Sequence, residues 1–226
     1  MAAAALGLLL FHPTAQSQGP LEAALASFLG PDPSTFAFDL DKFRPAAEPP
    51  ALRRALQRLP VKGHVRNLNR AQQAKLDSIE PILRLHQRPG TYEIRVYEDP
   101  VAAVSSRPGA VLLISTAALG WLAPGELQAA VAHEIGHEYV WREKQDAAAR
   151  GDHGRVQELE LICDGVALLT LHRVGVNLNS LLNGIESMLS FNFIRTRRAP
   201  QRDTHPSLYE RKKFARAVME RMQPRG

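Results

Sequence analysis

The stretch Glu126-Leu-Gln-Ala-Ala-Val-Ala-His133-Glu134-Ile135-Gly136-His137-Glu-Tyr-Val140 reads as an apolar-periodic helix, buried along one side. Its polar core is His133-Glu134-Ile135-Gly136-His137. Residues four apart share a helix face, so His133 and His137 can turn their ring nitrogens toward one ion. Glu134 lies one residue round, beside the ion, where it can take a proton from a metal-bound water. With 8 His and 14 Glu in 226 residues, the His-Glu-any-any-His pattern arises by chance roughly 0.02 times per such sequence. Burying two histidines and a glutamate without a partner costs several kcal/mol. A metal answers that cost better than hydrogen-bonded core histidines do.

A hydrolytic zinc site usually takes three protein ligands and keeps one position for water. The third ligand is expected on the next helix, in Glu158-Leu-Glu160-Leu-Ile-Cys163-Asp164. Glu160 and Asp164 share a face, so one can ligate while the other orients a ligating imidazole. Glu158 competes but points elsewhere. Cys163 is a soft donor turned about 100° from Asp164 around an ideal helix, and a buried thiol is the preferred reading.

Around this centre the chain is expected to be α+β, a small sheet followed by a helical half. Tyr92, Ile94 and Val96 alternate with polar neighbours, the period of a half-buried strand. Val101–Ser105 extends again, and Ala110–Thr116 reads as a buried strand. Helices are expected over about Leu68–His86, bent or broken at Pro81, and over Pro124–Arg150, Gly154–Val174 and Leu178–Ile194. A last one starts near Pro206, with Thr204 as its cap. Shorter helices, Leu21–Leu29 and Ala51–Leu59, flank a surface linker with prolines at 31, 33, 45, 49 and 50. The expected division is an arm at 1–17, a helical arm with its Pro-rich linker at 18–66, and the main domain at 67–226.

Composition narrows the function classes. Hydrophobic residues make 45% and charged residues 23%, as in folded soluble domains, which argues against disorder and fibrous repeats. A single cysteine, Cys163, excludes an intrachain disulfide framework and a cysteine-rich zinc site. Met1–Phe11 is apolar and Ala15-Gln16-Ser17 suits a signal peptidase, although no Lys or Arg precedes the run. Export to a periplasm or beyond is therefore expected. Net charge is +5, and Arg195–Arg225 holds ten basic residues against three acids. Contact with an anionic membrane surface is open to that segment. Specific nucleic-acid binding is not expected, because the charges lack aromatic partners and a reader motif.

The order of buried strand, His133-Glu-Ile-Gly-His137, Glu160-any-any-any-Asp164, then Thr204-His205-Pro206 with Arg211 resembles the gluzincin metallopeptidases that include the CaaX prenyl proteases and HtpX. The resemblance spans about Tyr92–Met222. It implies a zincin-like domain with a mostly antiparallel sheet and one Zn²⁺ per chain held by His133, His137 and Glu160. It further implies Glu134 as general base, Asp164 as the histidine-orienting acid, and His205 and Arg211 near the metal. Thr116-Ala-Ala-Leu119 resembles the segment that precedes the family's metal helix. Two departures stand out. Val101-Ala102-Ala103-Val104 replaces the usual Asn-Ala pair on the substrate-receiving edge strand, and Cys163 replaces the small residue before the acid.

The activity so implied is endopeptidase cleavage of extended or unfolded polypeptide, with His205, aided by Arg211, steadying the oxyanion. The competing expectation is a latent or non-catalytic zinc-stabilised peptide-binding module with His205 as fourth ligand. The oligomeric state is not legible in the sequence.

Overall fold

A computed structural model describes residues 19–32, 35–87, 92–107, 109–197 and 204–223. The signal-like segment at 1–17 lies outside them. The N-terminal portion supplies α1 (Pro20–Leu29), α2 (Pro50–Arg58), the two-residue strand β1 (His64–Val65), α3 (Arg70–Asp77) and α4 (Glu80–Leu85). The expected helix over 68–86 thus divides at Ser78-Ile79, just ahead of Pro81, where the α3 backbone closes on Ser78. Proline is well suited to the first turn of the new helix, because its missing N–H would have had no partner there.

Three further strands follow, β2 (Glu93–Tyr97), β3 (Val104–Arg107) and β4 (Val111–Ser115). The sheet order is β1-β2-β4-β3. β1/β2 and β3/β4 pair antiparallel, whereas the central β2/β4 pair is parallel. The sheet is therefore mixed, where a mostly antiparallel one was expected. β3 ends it, so one side of its backbone faces away from the other strands. β4 is buried at four of its five residues, as a continuous apolar run predicts.

The helical half contains α5 (Thr116–Trp121), α6 (Pro124–Ala149), α7 (His153–Arg173), α8 (Asn179–Thr196) and α9 (Leu208–Met222). Ser207, not Thr204, caps α9: its Oγ accepts from the Glu210 N–H, while the Glu210 carboxylate accepts from the Ser207 N–H at 2.8 Å. The serine wins because a glutamate stands three residues on, completing a capping box. Among the described residues no helix is long and apolar enough to cross a membrane.

α6 and α7 form an antiparallel hairpin that carries the site. Gly151, at φ 69°, makes the left-handed turn between them. Asp152 Oδ1 then caps α7 by accepting from the Arg155 N–H at 3.0 Å. The helices come close together at Gly136, where an added Cβ would lie 2.9 Å from the Cys163 Cα. α1 packs on the far side of α7, with Phe28 set against Gly165 and buried among Phe36, Phe38 and Phe214. The 18–66 segment thus feeds the same core as the helical half.

Candidate metal centre

His133, Glu134 and His137 project from the middle of α6, and Glu160 and Asp164 from α7. His133, His137 and Glu160 each bring one donor atom into a set lying within 4.8 Å of one another. His133 Nε2 is 3.3 Å from Glu160 Oε2, and His137 Nε2 is 3.9 Å from Glu160 Oε1.

The Asp164 carboxylate fixes the His133 ring. Its Oδ1 lies 2.8 Å from His133 Nδ1. With the Nδ1 proton committed there, the Nε2 lone pair of a neutral ring faces Glu160 Oε2, a buried oxygen that accepts no hydrogen bond from the described residues. Two lone pairs at that separation call for a shared cation. A metal ion between two imidazoles and a carboxylate meets that need, so the residues present fit a metal with nitrogen and oxygen donors.

Arg211 reaches in from α9 and places Nε 2.7 Å from Asp164 Oδ2, with Nη2 donating to Oδ1. Both carboxylate oxygens are engaged, and the acid is wholly buried. Arg211 therefore braces Asp164, with Nη2 3.4 Å from His133 Nδ1, and it also lines the cleft beside the donor set. Burial works to raise the Asp164 pKa, but Arg211 and then His133 hold it below the usual carboxylate value. Burial likewise opposes a charge on His133, yet the flanking Asp164 and Glu160 carboxylates raise its pKa to about 9, so a proton on Nε2 competes for the place a metal ion would take. His137 goes the other way, to about 3, through burial and the adjacent His133. It is the ready neutral donor of the pair.

Two neighbours, Lys144 and Ser106, fall outside the motifs of the sequence, and a third, Cys163, is the buried thiol expected there. Lys144, two turns along α6 from His137, places Nζ 2.5 Å from Glu160 Oε1. Cys163 Sγ lies 3.2 Å from His137 Nδ1, so the buried thiol supports a ligand from behind. Burial pushes that thiol well above its ordinary pKa. Ser106, on β3, donates from Oγ to Glu134 Oε2 at 3.2 Å. For Lys144 the i, i+7 spacing to His137, which puts them on one helix face, is a signal that could have flagged it, whereas nothing local marks Ser106.

Glu134 is adjacent to the donor set but not in it. Burial pushes its carboxyl pKa up, while His133 and the Ser106 hydroxyl pull it down. Outside lies a cleft of about 970 Å³. His133 and Glu134 form its floor, Val101–Val104 one wall, and Leu181, Ile185, Met188 and Asn192 of α8 the other. His205 sits exposed at the rim with Nδ1 3.0 Å from Thr204 Oγ1, outside the donor set.

Compared with known proteins, the chain matches no family model and no curated sequence.

Proposed function

We propose that the chain is a zinc-dependent metalloendopeptidase of gluzincin type, with a zincin-like domain, that cleaves extended polypeptide. The observation that carries this reading is the carboxylate of Glu134, held beside a His-His-Glu donor set and lining a cleft of about 970 Å³. A structural metal site has no use for such a base.

Zinc held by His133, His137 and Glu160 would supply a Lewis acid that polarises the scissile carbonyl and makes water acidic near neutral pH. Ser106 Oγ fixes Glu134 Oε2, which leaves Oε1 to take a proton from the attacking water. The same carboxyl then gives that proton to the departing amine as the C–N bond breaks. Asp164, gripped by Arg211, keeps the His133 ring aimed at the donor set. The rim position of His205 suits a donor to the developing oxyanion. β3 offers its outer backbone for strand addition, which favours unfolded segments over folded ones.

The rival is a closed zinc-stabilised peptide-binding module with His205 as fourth ligand. Its rim position outside the donor set favours the open site. Contact with an anionic membrane remains proposed for the basic C-terminal segment. Three of its cations are already used within the chain, Arg211 on Asp164, Lys212 on Glu186 and Arg221 on the Asp32 and Thr35 carbonyls.

Zinc content and casein cleavage, measured on the wild type, Glu134→Gln and His205→Ala, test the proposal. One equivalent of zinc in all three is expected. Cleavage should fall about 10²- to 10⁴-fold in Glu134→Gln and more modestly in His205→Ala. Proteolysis retained in Glu134→Gln would sink the assignment. Zinc and stability lost together in His205→Ala, with no cleavage by any form, would establish the rival.

A further inference from the structure

The β3 edge is closed at one point by a side chain. Ala103 turns its main chain inward: its N–H donates to Ser115 Oγ and its C=O accepts from the Ser115 N–H, both at 2.9 Å. Alternation along a strand then directs the N–H and C=O of Ala102, Val104 and Ser106 outward. At Ala102 both groups are met by one carboxamide from α8. The Ala102 N–H donates to Asn192 Oδ1 at 2.7 Å, and Asn192 Nδ2 donates to the Ala102 C=O at 2.9 Å. That is the pair of bonds a peptide unit of an added strand would form. Asn192 lines the cleft, and Val104 and Ser106 are the outward positions between it and Glu134.

We propose that Asn192 is a positioning residue that ends the substrate ladder. It takes the Ala102 rung itself, so an extended peptide pairs with β3 only at Ser106 and Val104. On that side of the reacting bond, residues beyond about the fourth gain no main-chain bond, because successive rungs are two residues apart. The inference rests on the peptide-cleaving reading above and adds a limit on the length of chain recognised.

The test uses the full chain, zinc-loaded and carrying Glu134→Gln, with fluorescein-labelled peptides built around a casein bond that the wild type cuts. The peptides are lengthened one residue at a time on either side, and Kd is read by anisotropy. On one side, affinity should stop rising at about the fourth residue. Adding Asn192→Ala should move that plateau two residues outward, with about tenfold tighter binding of the longer peptides, as two hydrogen bonds would give. Asn192→Asp keeps the acceptor for the Ala102 N–H but loses the donor to its C=O, and should fall between. It also carries the test should the alanine variant loosen α8, seen as a lowered Tm. A plateau unmoved in both variants, with cleavage by the wild type intact, overturns the role of Asn192 alone. No cleavage by the wild type and no binding to Glu134→Gln would overturn the peptidase reading, and this inference with it.

Discussion

The two sides of the cleft are built on different terms. On the α6–α7 floor, side chains are locked to side chains: Asp164 to His133 and Arg211, Glu160 to Lys144, His137 to Cys163. On the walls formed by the chain leading into β3 and by α8, the contacts to Ala102 and Ala103 run to main-chain groups, and most side chains are half-exposed. A floor of this kind fixes where an ion sits and how its ligands are aimed. A wall of this kind offers a backbone template with little preference for what lies on it. If the chain is the peptidase proposed above, the floor should govern metal and chemistry for every substrate alike, and the wall should govern how much peptide is held.

The sharpest way to break that division is Arg211→Ala. It leaves Asp164 charged, buried and without its bidentate partner, so stability should fall by about 3–5 kcal/mol and zinc affinity by about 10- to 100-fold. Urea unfolding and competition with a chelator measure the two. If zinc affinity holds and only peptide binding suffers, Arg211 belongs to the wall. Gly136→Ala comes next. Its new methyl would meet the Cys163 backbone, and forcing the hairpin apart should cost about 1–3 kcal/mol. A lowered Tm and weaker zinc binding are expected, with the length dependence of peptide binding unchanged.

Ser106→Ala joins the two sides and should have the smallest effect, a several-fold loss in kcat/KM at unchanged zinc content. Burial already holds the Glu134 carboxyl up, and the Ser106 hydroxyl is one of the groups pulling it down. Removing that hydroxyl raises the pKa further. Glu134 must be ionised to act as base, so the acid limb of the pH–rate profile should move to higher pH. Movement of the basic limb to higher pH, with the acid limb unchanged, would mean instead that Glu134 acts as the protonated species.

The floor was legible because its information lies in spacing within single helices. His133 with His137, and Glu160 with Asp164, repeat at four residues, and the structure gathers the histidines and Glu160 into the donor set with Asp164 behind. The wall was not legible, since a strand edge is recognised through N–H and C=O groups that every residue carries. Asn192 reaches Ala102 across 90 positions, and no local pattern in its helix marks it. The same division appears in the fold. Long helices declared themselves by period, whereas β1, two residues long, and α5, six residues long, are too short to show one. The parallel β2/β4 pair depends on which strands meet, information that alternation within each strand does not hold.

The contact of α1 with α7 and α9 gives the molecule an order of events. As the chain is synthesised, both histidines and both carboxylates exist by Asp164, but Arg211 follows only 47 residues later, with Phe214 just beyond it. Phe28 waits for Phe214, whose ring packs edge-on at 5.7 Å, and Asp164 waits for its guanidinium. Contacts this distant in sequence form late and together. A nascent chain thus carries the candidate metal ligands before it has the brace that aims them, and the proposed site is complete only once α9 has docked.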